Sequence, residues 1–147
     1  MSIRCRIVSR YGIVYDGNAD AVMLPTIHGQ VGILPHHIRM YTKMTNGIIT
    51  VKVGDQTKEF TATGGFVQVT TDEIRILADA SEVVDEIDLE RAEAARNRAL
   101  EAMKQAPTKE SPDFLKAMML FRKSSLRIKA AKRFKQKNPV AFSDKRK

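Results

Sequence analysis

The chain has 147 residues, with Lys+Arg 25 against Asp+Glu 17 for a formal net charge of +8, and 43% of it is hydrophobic. That length and apolar share suffice for one packed domain with an appendage, and 6% aromatics without Trp make the expected core aliphatic. A single cysteine, Cys5, excludes an internal disulfide and a cysteine-based structural zinc site, and no run reaches the ~18 apolar residues of a membrane-spanning helix.

Charge divides the chain. Met1 to Glu86 holds 8 Lys+Arg and 10 Asp+Glu, whereas Ile87 to Lys147 holds 17 and 7. A near-neutral globule followed by a basic segment is expected, the latter seeking an acidic protein surface, nucleotide phosphate or nucleic acid. Arg4, Arg6 and Arg10 interrupt the first residues, so no apolar signal core is read there and a soluble, reducing compartment is expected.

The first part reads in period two. Arg4 to Val8 alternates like a strand, with Cys5 as an inert small hydrophobe within it. Ala21–Leu24, Met40–Met44, Ile48–Val53, Lys58–Ala62, Phe66–Thr70 and Glu73–Leu77 follow as short, β-branched-rich runs. The expected turns are Asp16-Gly17-Asn18, His28-Gly29, Asn46-Gly47, Gly54-Asp55, Gly64-Gly65 and Thr71-Asp72. Short strands at this spacing predict a sandwich or barrel, and Asn46-Gly47 and Gly54-Asp55 predict tight hairpins on either side of one strand. No helical stretch intervenes, which argues against a parallel βαβ sheet.

From Asp85 the period becomes 3.6. Ala92, Ala95, Ala99, Ala102 and Ala106 form a small-residue seam on a helix reaching Gln105. Pro107 to Glu110 breaks it. Ser111 as N-cap and Pro112 at the first helical position open a second helix to about Lys135, with Phe114, Met118, Phe121, Ser125 and Ile128 on one face. The predicted fold is therefore an N-terminal antiparallel β-domain, sandwich or barrel (residues 1–86; a β-sandwich once the motifs below are weighed), an antiparallel two-helix hairpin (87–136) and a disordered basic tail (137–147).

Catalytic signatures are missing, and no enzyme activity, required cofactor or metal is expected. Gly12 and Gly17 have phosphate-loop spacing, but Asn18-Ala19 stands where Lys-Ser/Thr would bind phosphate and magnesium. His28, His36 and His37 share a segment, but neighbouring histidines on a strand would point to opposite faces. There is no Gly-x-Ser-x-Gly elbow. Glu82, Asp85, Glu86, Asp88 and Glu90 read as the solvated start of a helix, where acids favour the dipole.

Four motifs occur in order. Val22-Met23-Leu24-Pro25 leads into Gly29-Gln30-Val31-Gly32-Ile33-Leu34-Pro35-His36-His37, which resembles the "LPG…GEMGVLPGH" pattern of the F-type ATP synthase epsilon subunits. Gly64 to Val69 resembles their "SGGFVEV", Ile76 to Ala80 their "VLADTA", and Ile87 to Ala92 their "(I/L)DxxRA". The resemblance spans about residues 3–135. It implies a non-catalytic rotor subunit of a proton-translocating complex, peripheral at the cytoplasmic face of a bacterial cell membrane and held there only through the complex. The sandwich would pack on the gamma subunit, with Gln30 and His37 toward the c-ring. The helices would switch between a compact form and a form extended among the alpha and beta subunits that blocks ATP hydrolysis.

Asp88, Arg91, Ala95 and Arg98 share one stripe of the first helix, and Lys116, Lys123 and Arg127 one of the second. A polyanion would relieve repulsion between two facing basic stripes. In some bacterial relatives ATP binds here, and the resemblance places Glu82 and Asp88 at its adenine and ribose end, with Arg91, Arg98, Lys123 and Arg127 as the cationic part. The other reading makes these charges a solvated inhibitory face, Lys116, Arg122, Lys123, Arg127, Lys132 and Arg133, that grips acidic beta-subunit groups. Two features depart from the pattern. Lys116 and Lys123 replace arginines, losing the bidentate fork, and His36 replaces a glycine. From Phe114 onward 12 Lys+Arg face one acid, Asp144, which suits acidic subunits or anionic lipid. The competing class is a nucleic-acid-binding β-domain, against which stands the expected lack of paired exposed aromatics on the strands.

Overall fold

Alternation of inward apolar and outward polar side chains builds the first unit. In the computed structural model, which describes residues 2–137, the strands are β1 (Ile3–Ser9), β2 (Gly12–Ala19), β3 (Ala21–Thr26), β4 (Gly29–Ile33), β5 (Met40–Lys43), β6 (Gly47–Val53), β7 (Gln56–Ala62), β8 (Phe66–Val69) and β9 (Glu73–Ala78). They form a five-stranded sheet, β2-β1-β9-β8-β5, and a four-stranded sheet, β4-β3-β6-β7. Cys5, Ile7, Val67, Ile74 and Ile76 point inward from the first and Val22, Leu24, Ile49, Val51 and Phe60 from the second, all buried. Each such large side chain contributes about 1.5–3 kcal/mol by leaving water. The core is aliphatic apart from Phe60, as composition required. Every pairing is antiparallel except one: β1 runs parallel to β9 in the middle of its sheet. Cys5 is fully buried in this core, and burial, then the Asp16 charge, pushes its thiol up to about 12.

Two expected turns are placed differently. Asp16-Gly17-Asn18 lies inside β2, opposite Arg6, Cys5 and Arg4. The polar run persists there because β2 is an edge strand whose outward side chains face water, and Asp16 pairs with Arg4 at 3.2 Å and Arg6 at 3.4 Å. Asn46-Gly47 closes no hairpin, because β5 pairs with β8 and the chain crosses to the other sheet before β6. Gly47 is needed for a different reason: a Cβ there would stand 2.8 Å from Cγ of Pro25. Gly54-Asp55 does make the expected hairpin, with Val53 opposite Gln56. At Gly65, φ is 107° and a Cβ would collide with the Leu77 carbonyl oxygen. Beyond β9 the backbone covers the β7 edge, where the Thr61 amide donates to the Glu82 carbonyl (2.9 Å) and the Thr63 amide to that of Ala80 (3.0 Å).

The chain divides into two compact units after Val84. A short 3-10 turn spans the boundary at Val84–Glu86, and α1 (Leu89–Gln105) of the second unit starts later than periodicity predicts because Asp88 caps it, its carboxylate accepting from the Arg91 amide at 3.2 Å. The Ser111 hydroxyl accepts from the Phe114 amide at 3.2 Å, so α2 (Pro112–Lys137) has the expected cap. On α1, Ala92 and Ala99 of the seam are buried, Ala95 and Ala106 half-buried and Ala102 exposed. On α2 the expected apolar face is only half-buried at Phe114, Met118, Phe121 and Ser125. The buried line lies one step round, at Ala117, Ser124, Ile128 and Ala131. Its small members recur every seven residues, as Ala92, Ala99 and Ala106 do on α1, a spacing that lets helix backbones approach closely. Lys137 is helical, and the rest of the predicted tail lies outside the described residues.

Candidate docking surfaces

Strand register decides which outward side chains stand in one row. On the five-stranded sheet Phe66 is opposite Leu77, Leu77 opposite Val8, and Val8 opposite Ile13. Tyr41, on β5, stacks on Phe66 with centroids 5.8 Å apart and planes 13° from parallel. An apolar band therefore crosses all five strands of the outer face. Its members remain in water: Tyr41 is 69% exposed, Phe66 43%, Leu77 54% and Ile13 63%. Alongside runs a polar row, Gln68, Arg75, Arg6 and Asp16, in matching register. Arg75 pairs with Glu73 at 2.9 Å and Asp16 with both Arg4 and Arg6. The band overturns one sequence expectation, since Tyr41 and Phe66 are paired exposed aromatics on neighbouring strands. They come from positions far apart in the chain, so no local run displays them.

A second exposed feature follows β4. Leu34-Pro35-His36-His37 is a turn, not a strand, and the His37 amide donates to the Leu34 carbonyl at 3.1 Å. His37 is half-buried, with Nδ1 2.9 Å from the Ile38 carbonyl. Gln30 is exposed and sits opposite Pro25, near the other end of β4. The strand thus stands between Gln30 and His37, which could meet one partner only along a broad surface. His28 is exposed in the β3–β4 turn. Among the described residues no group of three or more His, Cys, Asp or Glu comes together.

The hairpin brings together only some of the residues named for nucleotide binding. Asp88 and Arg91 are neighbours, with Arg91 Nε 3.9 Å from Asp88 Oδ2, an exposed pair worth little by itself. The Asp88 carboxylate is also committed to capping α1. Glu82 belongs to the first unit, with its backbone fixed to β7. Arg98 and Lys123 are exposed and Arg127 is half-buried. Lys116 lines a groove of about 410 Å³ at the linker end, with Ala102, Gln105, Ala106, Asp113 and Leu120. At ~1.5 Å per residue that groove lies roughly 16 Å along α1 from Arg91, so Lys116 belongs to a different site. Arg122, Lys132 and Arg133 are exposed on α2, as are the apolar Leu115, Met119 and Leu120. These apolar exposures beside exposed cations make the outer face of α2 suited to an acidic partner.

Two family models match consecutive parts of the chain: the beta-sandwich domain of the ATP synthase delta/epsilon chain over residues 2–84, and its long alpha-helix domain over residues 85–132. The epsilon chain of Halalkalibacterium halodurans is 36% identical over 132 residues, covering 90% of this chain and 98% of that one. That of Prochlorococcus marinus strain MIT 9515 is 32% identical over 133 residues, covering 90% and 99%. Among solved structures, a chain of the Euglena gracilis mitochondrial ATP synthase has a TM-score of 0.63 at 19% identity, covering 86% of this chain and 75% of its own. At that identity the likeness speaks for the fold.

Proposed function

This chain belongs to the epsilon-chain family of the F-type ATP synthase, and from that premise we propose that it is a non-catalytic rotor subunit, its β-unit joining the central stalk to the membrane ring and its helices restraining ATP hydrolysis. The observation that carries the reading is the apolar band across the five-stranded sheet. A row of large side chains left in water on one sheet face marks a surface that another protein covers. The gamma subunit is the occupant proposed for the band. The c-ring is proposed for the end near His37, with Gln30 reaching it from β4. Membrane attachment is then peripheral and runs through the complex, at the cytoplasmic face of a bacterial cell membrane. No helix among the described residues is long and apolar enough to cross a membrane.

The inhibitory part rests on α2. Lys116, Arg122, Lys123, Lys132 and Arg133 are exposed beside Leu115 and Met119, a composition that fits acidic surfaces of the alpha and beta subunits once the hairpin extends. Deleting the chain from Ile87 onward tests both halves of the proposal. The band is left intact, so the truncated subunit should still assemble while ATP hydrolysis rises. Loss of assembly would remove the docking role from the β-unit, and unchanged hydrolysis would remove the inhibitory role from the helices.

A second reading, regulatory ATP on the hairpin, is favoured by Arg98 and Lys123. Both are exposed, and neither has an ion pair with a described residue. Triphosphate would neutralise them and hold the compact form, since a ligand that binds one state shifts the population toward it. Titration of the full chain with ATP, with Arg98→Ala as control, decides this; absence of any heat at millimolar ATP ends the idea.

A further inference from the structure

In the turn Leu34-Pro35-His36-His37, Pro35 sets the second position, and in the turn type adopted here the third takes positive φ, a conformation that favours glycine. His36 occupies it at φ 67°, and among the described residues it is the one non-glycine residue with positive φ. The epsilon-chain pattern has glycine at this point. A histidine there is disfavoured, and such conformations persist where something else offsets them. The backbone hydrogen bond that closes the turn is available to glycine equally, so it does not offset the choice of histidine. The His36 ring is exposed and has no hydrogen bond or ion pair with a described residue, unlike the ring of His37 beside it. Around it Leu34 is 58% and Ile38 82% exposed, Arg39 is exposed, and residues 27–40 contain no Asp or Glu.

We propose that His36 is a partner-contact residue, the polar centre of a small apolar knob completed by Leu34 and Ile38. Its imidazole N–H is a donor, and no described acid pairs with it. The matching surface offers apolar side chains around a backbone carbonyl or carboxylate acceptor. The inference rests on the reading that this end of the sandwich meets the ring, and it adds a contact that glycine cannot make. The strain of the left-handed histidine is then offset in the assembled complex and not in the isolated chain.

That division gives the test. Wild type, His36→Gly and His37→Ala are compared as full-length chains for thermal stability. Each is then measured for rebinding to the cognate ATP synthase stripped of this subunit, and to the detached head-and-stalk portion without the ring. His36→Gly should melt several degrees higher, because the strain is relieved. It should bind the ringless portion as wild type does, yet rebind the complete enzyme about tenfold more weakly. His36→Asn, which tolerates the same backbone conformation but lacks the ring, should resemble glycine in affinity. A glycine variant that melts higher and loses nothing on the complete enzyme overturns the contact while leaving the ring reading intact, provided His37→Ala still weakens binding. If the ring adds nothing to the affinity of wild type, the ring reading falls and takes this proposal with it.

Discussion

Removing the Phe66 ring should weaken attachment to the stalk by about thirty-fold while leaving the subunit folded. Phe66 is 43% exposed, and a phenylalanine presents roughly 200 Å², so roughly 85 Å² remains for a partner to cover. At about 25 cal/mol per Å² that area is worth about 2 kcal/mol, or ~30-fold in Kd. Loss of the stack with Tyr41 adds about 0.5–1.5 kcal/mol, split between the isolated chain and the complex because Tyr41 is less firmly held in both. Calorimetric titration of Phe66→Ala into purified gamma subunit, with thermal melting of the variant alone, separates the two effects. Val67 and Val69, the inward residues of the same strand, are untouched, so melting should fall only modestly. Lys43→Ala, at the end of the same row, provides a control that removes charge and little apolar area. Binding of Phe66→Ala within threefold of wild type would refute the assignment of the band to the stalk.

Gly65→Ala should be destabilised by at least about 3 kcal/mol, read from melting or from loss of soluble protein, because the new Cβ meets the Leu77 carbonyl at a φ of 107°. Asp88→Ala should cost about 1 kcal/mol and speed hydrogen exchange in the first turn of α1, whereas Asp88→Asn should be nearly neutral because asparagine caps equally well. Cys5 makes stability depend on pH in the alkaline range: its folded value of about 12 lies above the ordinary thiol value of 9.0, so the unfolded chain loses its proton first. Stability is therefore fully present below about pH 9 and falls by about 1.4 kcal/mol per pH unit from there toward pH 12, and Cys5→Ala should lack that part of the slope in pH-dependent denaturant melts.

What could be read from the sequence was what local periodicity encodes. Alternation located most strands, and the caps at Asp88 and Ser111 each depend on a few consecutive residues. β2 was hidden because Asp16-Gly17-Asn18 has turn composition, and only pairing with Arg4 and Arg6 on the neighbouring strand makes those residues a strand. The docking band was hidden for a deeper reason. Tyr41, Phe66, Leu77, Val8 and Ile13 form a row only after β1 has inserted beside β9, a pairing between opposite ends of the β-unit. The α2 face was misjudged because large side chains dominate a periodicity count, while a close helix pair buries its small ones. Pro35 marked the turn, but proline at the second position suits turns with either sign of φ at the third, so the left-handed His36 was not legible.

The same small side chains bear on how the hairpin could act as a switch. Burying an alanine methyl is worth about 0.8 kcal/mol, against about 1.5–3 kcal/mol for a leucine. An interface built on Ala92, Ala99, Ala117, Ser124 and Ala131 therefore holds two helices together weakly for its length, with Ile128 as its one large buried member. Meanwhile Leu100, Leu115, Met119 and Leu120 remain between 39% and 70% exposed on the same two helices. Apart from Ile128, the compact hairpin buries its small residues fully and leaves its large ones half-buried or in water. A partner that covers those four would gain more than separation of the alanine seam costs, and opening needs only that difference. Replacing Ala99 by leucine should leave no room for α2 at its present approach and shift the balance toward the open form. In the assembled enzyme that variant should inhibit ATP hydrolysis more strongly, and in isolation it should melt lower. An Ala99→Leu subunit that inhibits less than wild type would show that the compact hairpin, and not the open one, restrains the enzyme.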